Sequence, residues 1–187
     1  MRTLVTLSLM LAFSSVPAVA QTAPRWQADQ NAVCGAGTYL RFYDDIRTID
    51  AADTAGDDAR VLAITKDGIY RLTICLNSRP AFMPDDVPIS LRSEILTYLS
   101  FQLNAYSHGS SPQLALSQLQ TEARVALDLC NDRALMDDGQ PYQRARQAVG
   151  FALDRANKIM PAAGSPIEPY REEWRTCAAR LGRAVSF

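Results

Sequence analysis

His108 is the only histidine in this 187-residue chain, and it sits in YSHGSSP, a stretch whose composition marks a connection between helices. Imidazole is the one side chain whose ordinary pKa falls between pH 5 and 8, so pH-responsive or acid–base chemistry at histidine would have to run through this residue. Without a second histidine no two-histidine metal centre can be assembled. A helix C-terminus favours a partly cationic imidazole by its macrodipole alone, and that plain, solvated role is the one expected for His108.

Carboxylates recur as neighbours at Asp44-Asp45, Asp57-Asp58, Asp85-Asp86, Asp137-Asp138 and Glu172-Glu173. Two converging carboxylates can cleave a glycoside or hold a divalent cation. Neighbours on a helix, however, point about 100° apart, so adjacency does not bring them together. Turn formation accounts for Asp137-Asp138, the helix dipole for Glu172-Glu173, and solvation for Asp57-Asp58; Asp85-Asp86, lying between two predicted substructures, is the pair with the best claim to a cleft. The acids Asp50, Asp53, Asp57 and Asp58 do not have the spacing of an EF-hand loop.

Other signatures of chemistry are missing. The chain has no G-x-S-x-G, no S-x-x-K, no P-loop and no dinucleotide fingerprint. Seventeen arginines stand against two lysines. Arg171 and Arg175, one turn apart, could clasp a carboxylate or an anionic polymer together with Arg144 and Arg146, but salt pairs with Glu168, Glu172 and Glu173 are the simpler expectation. No catalytic, cofactor-binding or metal-ligating residue is therefore expected, and no cofactor.

Four cysteines carry the strongest signal. Cys34, Cys75, Cys130 and Cys177 are even in number, widely spread and free of any C-x-x-C. Upstream, MRTLVTLSLMLAFSS places one arginine before a ten-residue apolar and hydroxyl run from Leu4 to Phe13, and Pro17 leads into Ala18-Val19-Ala20. That order of charge, short apolar run and small-x-small site is a signal peptide, with cleavage expected between Ala20 and Gln21. Losing 20 of 187 residues leaves 167, the size of a single globular domain spanning 21–187, and losing Arg2 moves the formal net charge from −1 to −2. Such a balance gives no electrostatic reason to expect nucleic acid as a partner, and no later run is long enough for a transmembrane anchor. An exported chain would oxidise its thiols.

Helical periodicity suggests which thiols pair. Leu119, Ala123, Ala126 and Leu127 form a stripe whose next step is Cys130, and Tyr170, Trp174, Cys177 and Leu181 form another. The pairing expected is Cys130–Cys177, leaving Cys34–Cys75.

The elements that hold these groups follow from the same periods. Tyr39, Phe42, Tyr43, Ile46 and Ile49 predict a helix after Gly37, and residues 50–59 a solvated loop. Residues 60–77 read as a β-hairpin: β-branched and aromatic runs flank Lys66-Asp67-Gly68, and a three-residue loop there faces Leu62, Ile64, Tyr70, Leu72 and Ile74 to a core. From Pro88 the chain is helical. One helix follows Ser90 and stops near Gly109; a second opens at Ser111-Pro112 and extends to about Met136; a third opens at Pro141 with the seam Tyr142, Ala145, Val149, Ala152, Ala156 and Ile159; a fourth carries Glu172 and Glu173 first and Arg180 and Arg183 last. The fold class expected is mostly α (α+β): an N-terminal helix and the 60–77 hairpin packed on a C-terminal antiparallel four-helix arrangement (88–187), stapled by disulfides.

A periplasmic or secreted, non-enzymatic protein that binds an envelope protein or an envelope polymer is the function this points to. The alternatives are an exported hydrolase using a carboxylate pair such as Asp85 or Asp86 with a second acid, and a small-ligand carrier with a pocket lined by Tyr98, Phe101 or Trp174. Intact-mass analysis of material from the producing cell checks the export step: the expected mass is that of a chain beginning at Gln21 with four unalkylatable cysteines.

Overall fold

The computed structural model describes residues 25–78, 83–84, 86–108, 112–132, 143–159 and 167–182. The expected leader, Asp85, Ser111, the Asp137-Asp138-Gly139 turn, Tyr142, Arg183 and residues 160–166 lie outside them. Seven α-helices are described: α1 (Arg25–Cys34), α2 (Thr38–Thr54), α3 (Asp58–Asn77), α4 (Asp86–His108), α5 (Pro112–Cys130), α6 (Gln143–Ile159) and α7 (Arg171–Arg180), the last entered through a 3-10 turn at Glu168–Tyr170. No strand occurs among the described residues, so the fold is helical rather than α+β.

The expected hairpin is the continuous helix α3. Its buried positions are Val61, Thr65, Gly68 and Leu72, stepping by four, three and four, which is helical spacing. Of the residues assigned to the inward face of a hairpin, Tyr70 is 66% exposed and Ile74 is 47% exposed. β-Branched residues lower helix propensity only slightly, so a buried face decides the outcome. Asp57 begins the helix by accepting a hydrogen bond from Arg60 N at 3.0 Å. The expected loop over 50–59 thereby shrinks to a turn at residues 55–57 between α2 and α3.

Gly68 is buried in the middle of this helix, not in a turn. A Cβ there would overlap the ring of Tyr98 on α4. That ring cannot swing aside freely, because its hydroxyl donates to Asp45 Oδ2 at 2.7 Å. Glycine is thus required by the close approach of two helices.

Elsewhere the helical periods place the elements as expected, except that α5 ends at Cys130 with a turn at Asn131 instead of running on to about Met136. Gly37, at φ 81°, precedes α2, whose Tyr39, Phe42 and Ile49 are buried. Helix α4 starts at Asp86, so Ser90 lies within it rather than capping it. Leu119, Ala123, Ala126, Leu127 and Cys130 of α5 are buried, as are Ala145, Val149, Ala152 and Ala156 of α6 and Trp174 and Cys177 of α7.

Helix α4 packs against α1, α2, α3, α5 and α6. Thirteen of its 23 residues are buried, on all but the face that carries the half-buried Thr97, Phe101 and Asn104. Two apolar cores meet on it. Val87, Leu91, Ile95, Tyr98 and Leu99 join Phe42, Ile49, Val61 and Leu72 in one. Ile89, Leu96 and Leu103 join α5, α6, α7 and Ile167 in the other.

Each core carries one covalent staple. Cys34–Cys75 joins α1 to α3, and Cys130–Cys177 joins α5 to α7, with Cα separations of 5.5 and 5.7 Å. Both expected pairings are therefore present. Loops of 41 and 47 residues closed in this way each stabilise a fold by about 4 kcal/mol on a chain-entropy model.

Gly68→Ala reports on the α3–α4 contact through the sign of its effect. In an open helix interior this change stabilises by about 1 kcal/mol; here the overlap with Tyr98 is expected to destabilise by about 1–3 kcal/mol, read as a lower urea midpoint.

Candidate functional site

Because α4 is enclosed on all but one face, its buried polar side chains need partners inside the protein. Glu94, 5% exposed, accepts from Gln30 Nε2 of α1 at 3.1 and 3.0 Å through its two carboxyl oxygens, and Ser90 Oγ donates to Gln30 Oε1 at 3.1 Å. Burial pushes the Glu94 carboxyl up to about 8, the hydrogen bond from Gln30 and the charge of Arg71 pulling the other way. Tyr98 bonds Asp45 of α2, which also accepts from Arg71 Nη2 of α3 at 2.5 Å. Burial and that carboxylate push the Tyr98 hydroxyl above the ordinary phenol range. Asp67 Oδ2 accepts from both Arg71 Nε and Arg41 Nη2 at 2.9 Å. This is a lattice tying α1, α2 and α3 to α4, and its Arg41 and Arg71 also line a cavity of about 400 Å³ beside Cys34 and Cys75.

A second polar group lies on the other side. Ser100 Oγ donates to Glu122 Oε1 of α5 at 2.6 Å, and Arg155 Nε of α6 stands 3.6 Å from the same oxygen. Glu122 is 1% exposed, and burial raises its carboxyl above the usual range against the pull of Arg155. Above this pair runs a cleft of about 620 Å³, with Thr97, Ser100, Phe101 and Asn104 of α4 on one wall and Ala148, Phe151, Asp154 and Arg155 of α6 on the other. Each wall is a single helical face at spacings of three and four. Small Ala148 opens the space, and Phe151, 66% exposed, stands at its edge.

The residues singled out in the sequence are distributed unevenly around this cleft. Phe101 lines it, whereas Tyr98 and Trp174 are fully buried core side chains. Asp44 pairs with Arg47 while Asp45 turns to Tyr98 and Arg71. Asp57 caps α3 and Asp58 faces His108. Asp86 sits in the first turn of α4, and Glu172 pairs with Arg175. Asp154 is the only carboxylate among the described lining residues.

Nor do the arginines form a clasp as a set. Arg171 holds Glu168 through two hydrogen bonds of 2.9 and 2.6 Å, as the simpler expectation had it. Arg144 lies over the rings of Tyr39 and Tyr43 and donates to Tyr39 Oη at 2.7 Å, which ties α6 to α2.

Sequence reasoning missed Gln30, Glu94 and Glu122, since polar residues on helices read as surface until their surroundings are known. It passed over Phe151 as well. That residue lies off the Ala145–Ala156 seam, and an aromatic side chain off a seam was the available signal. Compared with family models, curated proteins and solved structures, the chain matches none.

Glu94 gives a pH dependence of definite sign. A carboxyl whose folded pKa lies above its unfolded value keeps its proton in the folded chain after the unfolded chain has released it, so stability falls as pH rises from about 4.5 to about 8. Urea midpoints should decline across that range, and Glu94→Gln should flatten the decline and exceed the parent protein at pH 8 by a few kcal/mol, on the order set by the shift.

Proposed function

We propose that the chain is exported, loses residues 1–20, and acts as a non-enzymatic binding protein of the cell envelope, periplasmic or secreted, whose α4–α6 cleft receives an apolar side chain of an envelope protein. The leader-like order of residues 1–20 and the pairing of all four cysteines support the export half of this reading. Among the described residues no helix is long and apolar enough to cross a membrane.

One observation carries the binding half: Phe151, two-thirds exposed, borders a cleft whose facing wall presents Phe101. An exposed phenylalanine forgoes about 1.5–3 kcal/mol of burial that a partner would recover. The rim of the same cleft offers Asn104, Asp154 and Arg155, polar groups suited to fixing orientation around an apolar centre. The volume also falls in the range of small-ligand sites, about 300–1,000 Å³, so a carrier is the second reading of the same place. A hydrolase finds less support, since no two described acids line the cleft.

Photo-crosslinking in intact cells decides between them. With a photoreactive phenylalanine analogue at Gln147, an exposed α6 position one residue before Ala148, the expected product is a discrete protein adduct that disappears when Ala148→Trp fills the cleft. A small molecule of fixed mass retained in native mass spectra, and expelled by Ala148→Trp, would assign the cleft to a carrier instead.

A further inference from the structure

Three helix ends converge away from the cores: the last turn of α2, the first turn of α3 and the last residue of α4. They bring Asp53, Asp58 and His108 together across some 50 residues of sequence. One carboxylate oxygen from each aspartate and one imidazole nitrogen lie within 4.8 Å of one another. His108 Nδ1 is 3.4 Å from Asp58 Oδ1, and Asn104 Nδ2 donates to Asp53 Oδ1 at 3.0 Å, which fixes that carboxylate.

The charge of this group is not balanced in the way the rest of the protein balances its acids. Where Asp45 and Asp67 converge, Arg71 lies between them. Between Asp53 and Asp58 stands an imidazole, and among the described residues no lysine or arginine nitrogen comes within 4.0 Å of either carboxylate. The C-terminal ends of α2 and α4 add their partial negative charge at the same place. The positive end of α3 opposes them, but Asp57 already caps it through Arg60 N. Two carboxylates, an imidazole and two helix C-termini make a locus that attracts a cation and has donor atoms to ligate one.

We propose that Asp53, Asp58 and His108 bind a divalent transition-metal cation, with zinc the ion whose preferences they fit best. Imidazole nitrogen suits zinc and its neighbours in the first transition row, whereas calcium and magnesium take oxygen ligands alone and more of them. Zinc–ligand distances of about 2.0–2.2 Å put neighbouring donor atoms about 3.3–3.5 Å apart, the separation His108 and Asp58 already have, and Asp53 holds a carboxylate oxygen within 4.8 Å of both. Three protein ligands leave a fourth position for water or a group from a partner. The site stands independently of the cleft reading, although Asn104 touches both.

The test is calorimetric titration of the full, oxidised, chelator-stripped protein with zinc chloride at pH 7.5. One equivalent should bind, weakened at least about tenfold by His108→Ala and by Asp53→Asn, as loss of one ligand implies. Asp50→Asn, an exposed acid one turn earlier on α2, should leave it unchanged. Cobalt(II) in place of zinc should show the visible bands of a four-coordinate ion, which His108→Ala abolishes. Circular dichroism of each variant confirms that its helices are retained. Absence of saturable zinc binding, or binding indifferent to both ligand substitutions, would overturn the site.

Discussion

A helix enclosed on all but one face must place its polar groups as carefully as its apolar ones, and α4 bears that constraint for the whole molecule. Glu94 reaches α1, Tyr98 reaches α2, and Ser100 reaches α5 through Glu122 and, by way of Arg155, α6. Apolar packing supplies most of the stabilisation, but it is tolerant of sliding and rotation. These hydrogen bonds are not: a buried donor or acceptor that loses its partner costs about 1–3 kcal/mol, and a charge costs more. They set the register in which the neighbouring helices sit on α4.

With α4 as a shared wall, the two sides can be stapled separately. Cys34–Cys75 closes the side built from α1 to α3, and Cys130–Cys177 closes the side built from α5 to α7. Arg144 crosses between the sides by laying its guanidinium on the aromatic pair of α2. The candidate cleft opens along α4 where α6 leaves Thr97, Ser100, Phe101 and Asn104 incompletely covered. Rigid walls and a small opening are what a binding surface needs if little ordering is to be lost on association.

How far this could be read from sequence differed from helix to helix. The α5, α6 and α7 seams were legible because each is a regular run of apolar residues at spacings of three and four, and the pairing of Cys130 with Cys177 followed from their places on those seams. Helix α3 was not. Its inward face includes Thr65 and Gly68, which signal neither core nor helix, while its outward face includes Tyr70 and Ile74, which signal strand. Thr65 satisfies its hydroxyl on Val61 O at 2.8 Å, and Gly68 is explained only by Tyr98, thirty residues away. The cleft was partly legible through Phe101, but Glu122 and Phe151 acquire meaning only once α4, α5 and α6 are assembled. The convergence of His108 with Asp53 and Asp58 is likewise a product of topology rather than spacing.

That α4 is the shared spine can be tested by amide hydrogen exchange read by mass spectrometry on the native, oxidised protein. Slowest exchange in peptides covering residues 91–103, with α3 protected continuously through Gly68, is the result this architecture predicts. Exchange in 91–103 as fast as in the peripheral α1, or a break in protection at residues 66–68, would contradict it.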